Sequence, residues 1–127
     1  MAEIKSLEQK RAKLAWEFVQ FVKDNRRDKQ KEFKSVMRKL PAMILTSGLA
    51  QTIAFHLGKD IGKPEHEVID NLAIALSELT DYFKGKTAKE LQIALNDEDH
   101  EVHIMLTREA LKYATWLKRL AEAELEE

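Results

Sequence analysis

The sequence predicts an all-α protein, a single compact domain of about six helices over residues 1–127. Glycine and proline are scarce, with four and two residues respectively, and good helix formers dominate. Apolar residues recur at three- and four-residue steps, the spacing that gives a helix one buried face. No stretch alternates β-branched and polar residues, so strands are not expected.

Caps, prolines and short polar turns divide this pattern into six helices. The expected ranges are 3–24, 29–40, 41–57, 64–83, from the Thr87–Glu90 capping box to about 95, and 99–124. Pro41 is expected to begin the third helix, because proline is best tolerated in a first turn. Helix 41–57 is apolar on most of its circumference, which predicts a central, buried position.

Composition limits the kind of protein this can be. Apolar residues make up 44% of the chain and charged residues 34%, as in ordinary globular proteins. There are no cysteines, which excludes disulfides, thiolate catalysis and thiolate-bound zinc. Without a run of eighteen apolar residues or a basic-then-apolar leader, we expect a cytoplasmic protein with no membrane partner.

The net charge of −1 hides a strong asymmetry along the chain. Residues 1–40 contain twelve Lys and Arg against six Asp and Glu, whereas residues 41–127 contain nine against sixteen. Such a molecule could attract a polyanion at its basic end, or stack head to tail with copies of itself.

Positive charge is densest in segment 23–39, which has eight basic and three acidic residues. A broad helical face is predicted to carry Lys31, Lys34, Arg38 and, less closely, Lys39 and Arg27. Cations in such a row can follow a phosphate backbone and release its counterions, although a solvated helix surface is an equally good interpretation. The one aromatic nearby, Phe33, is expected to face the core, so any contact would be to backbone rather than to bases.

A second candidate is the polar set Ser47, Gly48, Gln51 and Thr52, expected on one face of helix 41–57. A glycine inside a helix costs about 1 kcal/mol relative to alanine, so it needs a compensating contact. Close helix packing would provide one; the alternative is a patch that another chain or an RNA backbone approaches, with Gln51 as a candidate RNA contact.

Nothing in the sequence has the pattern of an active site or a cofactor site. His100 and His103 are one turn apart, but zinc needs three or four organised ligands, and the acidic residues around them suit a helix amino terminus. A glycine-rich phosphate loop, a His-Glu-x-x-His run and a nucleophile elbow are all absent from the sequence. Trp16 and Trp116 are expected to be core or interface anchors. We therefore expect no catalysis, no metal and no cofactor.

Two segments resemble a known family. In residues 33–56 the similar elements are Ser35, the Lys39-Leu40-Pro41 step, Ile44, Gly48-Leu49, Gln51 and Ala54-Phe55; in residues 111–125 they are Trp116-Leu117-Lys118-Arg119 and Ala121-Glu122-Ala123-Glu124. These are similar to the small α-helical subunit of Cmr-type (type III-B) CRISPR effector complexes. The chain departs from that pattern at Phe33, where tyrosine is expected, and at Ser47, where asparagine is expected.

The resemblance implies a non-catalytic subunit of an antiviral ribonucleoprotein. Several copies would stack as a filament beside other Cmr subunits and contact the backbone of the crRNA or target RNA, while other subunits cut. Three alternatives stay open: a protein-only helical adaptor, a helix-turn-helix regulator built on a tight turn at Pro41, and a metal-dependent nuclease using His100 and His103.

Overall fold

The computed structural model describes residues 6–126, and within them it contains six α-helices, one short 3-10 turn and no strand. The helices are α1 (Leu7–Asn25), α2 (Gln30–Ser47), α3 (Leu49–Leu57), α4 (Pro64–Leu79), α5 (Ala88–Asp97) and α6 (His100–Glu124); the 3-10 turn spans Arg27–Lys29. The expected all-α class and compact arrangement of about six helices are confirmed. The first helix's expected start at residue 3 lies outside the described residues.

The helix boundary expected at Pro41 is wrong, because α2 continues through this proline to Ser47. Met37, Leu40 and Ile44 on either side of it are fully buried in the core. Their burial outweighs the backbone hydrogen bond that proline cannot donate. The helix ends instead at Gly48, whose φ of 85° and ψ of 163° lie in a region that essentially only glycine adopts.

Segment 41–57 is therefore the end of one helix and the whole of the next, and it is not buried all round. Leu49 and Ile53 are fully buried, but Leu45 is 73% exposed and Phe55 is 49% exposed. The expectation of a single central apolar helix fails because periodicity cannot place a break inside a continuous apolar run.

The polar set Ser47, Gly48, Gln51 and Thr52 spans the break between α2 and α3. Gly48 is not inside a helix but caps one, and the buried Thr52 donates its hydroxyl to the Gly48 carbonyl at 2.7 Å. Ser47 and Gln51 are exposed. The four residues are thus a helix junction with two exposed side chains, not one polar face.

The last two helices begin where their caps were expected. The Thr87 hydroxyl accepts from the Glu90 N–H at 3.1 Å, and Asp99 accepts from the Val102 N–H at 3.0 Å. These side chains satisfy backbone donors that the helix itself leaves unpaired.

The fourth helix ends at Leu79, before the expected residue 83. Phe83 is still buried, with 6% exposure, but it packs from the following loop. Lys84 closes that loop by donating to the carbonyls of Ser77 and Thr80 at 2.9 and 2.8 Å, a favourable place for a cation at a helix carboxyl end. The helix was expected to extend to Phe83 because this residue is apolar and has the spacing of the buried residues in α4.

The long helix α6 organises the core, since α2 and α1 pack chiefly against it and α4 also contacts it. Its Leu106, Tyr113 and Leu117 are fully buried. The Tyr113 hydroxyl donates to Asn71 on α4 at 2.5 Å, and burial raises the pKa of the Tyr113 phenol. The phenol therefore stays a protonated donor that ties α6 to α4.

A buried ion pair aligns α1 with α6. Arg11 donates from Nη2 to Glu109 Oε1 at 2.8 Å and from Nε to the other carboxylate oxygen. Both residues are buried. Removing one partner would leave an uncompensated buried charge, so the pair constrains how the two helices are placed along each other.

Among residues 6–126, no helix combines the length and apolar character needed to cross a membrane.

Candidate nucleic-acid interface

Four of the five cations that were predicted to contact RNA are exposed, and we call them the α2 basic face: Arg27, Lys31, Arg38 and Lys39. Arg27 lies in the 3-10 turn and the other three lie on α2. They are exposed because Phe33, Met37 and Leu40 direct the opposite side of α2 into the core. Exposure to solvent leaves these four side chains accessible to a ligand.

Lys34 does not belong to this face, and its predicted place there is wrong. Its side chain is buried, with 5% of the residue exposed, and its ammonium donates to the Leu125 carbonyl at 3.1 Å. The last carbonyls of a helix lack intrahelical donors, so Lys34 satisfies the carboxyl end of α6. Spacing alone could not separate it from Lys31, because it lies at the edge of the face where α2 meets α6.

Carboxylates from the end of α6 lie beside the basic segment. Glu122 pairs with Arg38 at 3.6 Å and Glu124 pairs with Lys23 at 3.4 Å, and Glu124 also accepts from Gln20 at 3.2 Å. The Arg38 and Glu122 side chains are 45% and 40% exposed, so water and salt screen this pair strongly. Part of the positive charge is thus balanced within the molecule.

A groove of about 320 Å³ adjoins the α2 basic face, and Lys39, Phe55 and Lys59 line it together with Glu32 and Glu65. The Lys59 ammonium lies 4.6 Å from the centre of the Phe55 ring, a cation–π contact. Two carboxylates oppose the two lysines here, so the groove itself has little net charge.

Lys59 was not identified from the sequence as part of this surface, and Phe55 was expected to lie in the core. Gln51, the remaining predicted RNA contact, is exposed one turn before Phe55 on α3.

The two departures from the resembled pattern lie in different environments. Phe33 is fully buried, as expected, and its ring centre lies 6.4 Å from that of Phe18 in an edge-to-face arrangement. It cannot contact a ligand on the surface of α2. Ser47 is exposed at the last residue of that helix.

The histidines do not form a recognisable metal centre. His100 and His103 lie in the first turn of α6, but no cluster of three or more His, Asp or Glu within residues 6–126 is placed to hold a metal ion. The helix-turn-helix alternative loses its basis as well, since no turn exists at Pro41.

A second feature that sequence reasoning missed is a groove of about 400 Å³ on α6, which we call the α6 groove. It is lined by Glu8, Lys112, Thr115, Trp116 and Arg119. The Trp116 indole N–H donates to the Glu8 carboxylate. Sequence reasoning expected Trp116 to be an anchor only. A signal for an exposed, largely basic row was present in the four-three-four spacing of Arg108, Lys112, Thr115 and Arg119.

Comparison of the fold defines the class of protein. The chain is similar to the X-ray crystal structure of a CRISPR-associated Cmr5 family protein from Thermus thermophilus, with a TM-score of 0.82 and 26% sequence identity over 96% of this chain and 100% of that one. The architecture is thus that of a small, all-α CRISPR-associated protein.

Sequence comparison identifies the family. The family model described as CRISPR-associated protein (Cas_Cmr5) matches residues 7–124. A curated relative from Thermus thermophilus, CRISPR system Cmr subunit Cmr5, is 31% identical over 96 residues, covering 76% of this chain and 77% of the relative. The chain belongs to the Cmr5 family, which confirms the resemblance found in segments 33–56 and 111–125.

Proposed function

We propose that this chain is a non-catalytic small subunit of a type III-B (Cmr) CRISPR RNA-guided effector complex that acts in antiviral defence. The observation that carries the proposal is the family match over residues 7–124, together with a curated relative that is named as a Cmr subunit. The partners are then the other subunits of that complex, and the site of action is the cytoplasm.

The α2 basic face is the proposed contact to the backbone of the crRNA or target RNA. Its four cations are exposed along one side of α2 and the preceding turn, where they can neutralise successive phosphates. Gln51 would add a neutral hydrogen bond from α3. Contacts of this kind position a strand without reading its sequence.

Stacking of copies is the proposed structural role. The basic first third and the acidic remainder of the chain favour head-to-tail contact between copies. Exposed apolar side chains such as Leu45, Ile61 and Ile93, at 73%, 93% and 56% exposure, provide surface that such contacts would remove from water.

Catalysis is assigned to other subunits. The chain has no cysteine. The buried polar groups Arg11, Lys34 and Thr52 have structural partners, namely Glu109, the Leu125 carbonyl and the Gly48 carbonyl. None of these contacts pairs a nucleophile with a base, as covalent catalysis requires.

Charge reversal in the assembled complex tests the RNA contact. Complexes built with Lys31→Glu/Lys39→Glu are compared with complexes built with Lys86→Glu/Lys89→Glu, which changes the charge equally at two exposed lysines outside the α2 basic face. We expect the first variant alone to weaken target-RNA binding by about tenfold and to flatten its dependence on salt. Equal binding by the two complexes would contradict an RNA contact at this face.

A protein-only adaptor is the second candidate function. The observation that favours it is the pairing of Glu122 and Glu124 with Arg38 and Lys23, which reduces the charge that a phosphate would meet. It predicts that the chain remains bound to partner subunits after nuclease treatment, and that segment 27–39 yields no RNA crosslinks within the complex.

A further inference from the structure

A second cationic surface lies on α6 and consists of residues outside the α2 basic face. Arg108, Lys112, Thr115 and Arg119 are all exposed, and their four-three-four spacing places them in one row along the helix. Lys112 and Arg119 are separated by about 10 Å along the helix axis, at 1.5 Å per residue. Between them lies Trp116, and all of these but Arg108 line the α6 groove.

Trp116 is held in place by a chain of contacts that ends in the core. Its N–H donates to Glu8, Glu8 accepts from Arg11 Nη1 at 3.3 Å, and Arg11 is fixed by the buried Glu109. Trp116 is also packed against the hydrophobic core. A ring fixed before binding loses little conformational entropy when a ligand stacks on it.

The charge of this groove differs from that of the groove beside α2. Neither Lys112 nor Arg119 forms an ion pair with any residue from 6 to 126. The one carboxylate in the α6 groove, Glu8, contacts Arg11, but Arg11 is also paired with Glu109, so Glu8 keeps its negative charge. Lys112 and Arg119 outnumber this single carboxylate and flank an aromatic ring, a surface that is complementary to an anionic ligand with a flat apolar part.

We propose that the α6 groove binds single-stranded nucleic acid, with a base stacked against Trp116 and the flanking phosphates held by Lys112 and Arg119. The inference goes beyond the proposed function, which places backbone contacts on the α2 basic face, and it shares with it only the class of ligand. An acidic protein segment fits the two cations equally well but gives the indole nothing to stack on. A base with its phosphates uses all three side chains.

The test uses the full chain and two fluorescent probes, a ten-nucleotide oligouridylate and an abasic strand with the same number of phosphates. Lys112→Glu/Arg119→Glu should weaken binding of both probes about tenfold and make the logarithmic salt dependence shallower by about 1.4, or 0.7 for each phosphate contact. The charge-matched control Lys86→Glu/Lys89→Glu should change binding less than twofold.

Trp116 is tested with Trp116→Leu and, in case that variant does not fold, with Trp116→Phe, which keeps an aromatic ring. Trp116→Leu should weaken binding of oligouridylate about fivefold or more and leave the abasic strand unchanged, while Trp116→Phe keeps most of the preference for oligouridylate. Equal affinity of the unmodified chain for the two probes would overturn base stacking.

Three further results would overturn the site itself. These are an α6 charge reversal that behaves like its control, no binding of oligouridylate at low salt, and displacement of oligouridylate by polyglutamate at equal charge concentration. A loss confined to Lys31→Glu/Lys39→Glu would remove this inference and leave the proposed function intact. A loss of binding confined to Lys112→Glu/Arg119→Glu would support this inference and would contradict the proposed contact at the α2 basic face.

Discussion

Lys31 and Lys34 are one turn apart on α2, yet they have different roles. Lys31 is exposed, whereas Lys34 is 5% exposed and donates to the carbonyl of Leu125. Their side chains are chemically identical, so the difference arises only from the packing of α6 against this side of α2. A basic residue in a basic segment can therefore be a structural donor rather than a ligand contact.

Lys34→Met should lower the free energy of unfolding by about 1–3 kcal/mol, because the Leu125 carbonyl loses its donor at the end of α6. Lys31→Met, at an exposed position of the same helix, should change it by less than about 0.5 kcal/mol. Urea denaturation followed by circular dichroism measures both values. Equal losses for the two variants would contradict the role assigned to Lys34.

His56 links stability to pH. Burial lowers the pKa of its ring from 6.5, although the hydrogen bond between Nδ1 and the Thr52 carbonyl, at 2.7 Å, partly opposes that shift. Because the folded pKa is the lower one, the unfolded chain binds more protons below pH 6.5. The contribution of His56 to stability is therefore complete above that pH and is lost as the pH falls towards the folded pKa.

His56→Gln should make the unfolding free energy fall less between pH 7.5 and pH 5.5 than it falls in the unmodified protein. The exposed His100 gives a matched control for the removal of an imidazole, as His100→Gln. Denaturant titrations at the two pH values measure the difference. If His56→Gln has the same pH dependence as the unmodified protein, the buried neutral ring is not what links stability to pH.

Helix α2 shows why local rules failed at one boundary and succeeded at others. Thr87 and Asp99 are short-range signals, and their hydrogen bonds reach only three residues along the chain. Pro41 is also a short-range signal, but Met37, Leu40 and Ile44 bury the helix around it. That burial depends on contacts with distant elements, which local periodicity does not contain.

Gly48→Ala should destabilise the protein by about 1–3 kcal/mol, because a φ of 85° with a ψ of 163° is strained for any residue with a Cβ. The space around Gly48 is open, so this cost comes from the backbone and not from a clash. Pro41→Ala should be neutral or stabilising, since it restores a helix hydrogen bond. Thermal denaturation of the two variants decides where the helix breaks: a larger loss for Pro41→Ala would place the break at the proline.

The carboxyl end of α6 should moderate RNA binding at the α2 basic face. Glu122→Gln/Glu124→Gln removes the carboxylates beside Arg38 and Lys23, and affinity for RNA at low salt should rise about two- to tenfold, the range that two exposed ion pairs can supply. Glu98→Gln/Glu101→Gln makes the same charge change about 30 Å away at the other end of α6. Fluorescence anisotropy compares the variants, and an equal rise in both would mean that net charge alone is responsible.

For the whole molecule, the class of fold and most helices could be predicted from the sequence. Apolar periodicity and helix caps depend only on residues a few positions apart along the chain. The surface could be predicted only in part. Arg27, Lys31, Arg38 and Lys39 are exposed, as an RNA contact requires, but Lys34 is buried, and the groove around Trp116 was missed altogether. The contact of Lys34 with Leu125 and that of Glu8 with Trp116 join residues that are 91 and 108 positions apart.

The charge asymmetry along the sequence does not separate positive from negative charge completely in the folded molecule. The basic first third and the acidic end of α6 are in contact within one molecule, through Arg38 with Glu122 and Lys23 with Glu124. An RNA strand would meet a basic face with nearby carboxylates, which favours contacts that are weak singly and effective when several copies line up on one strand.

Purification of the tagged chain from its native host, followed by mapping of RNA–protein crosslinks, tests whether the chain is an RNA-contacting subunit of a CRISPR complex. Other subunits of the complex and small guide RNAs should co-purify with the chain, and crosslinked peptides should include segment 27–39. Purification of the chain without those partners, or a complete complex with no crosslink in that segment, would contradict that role.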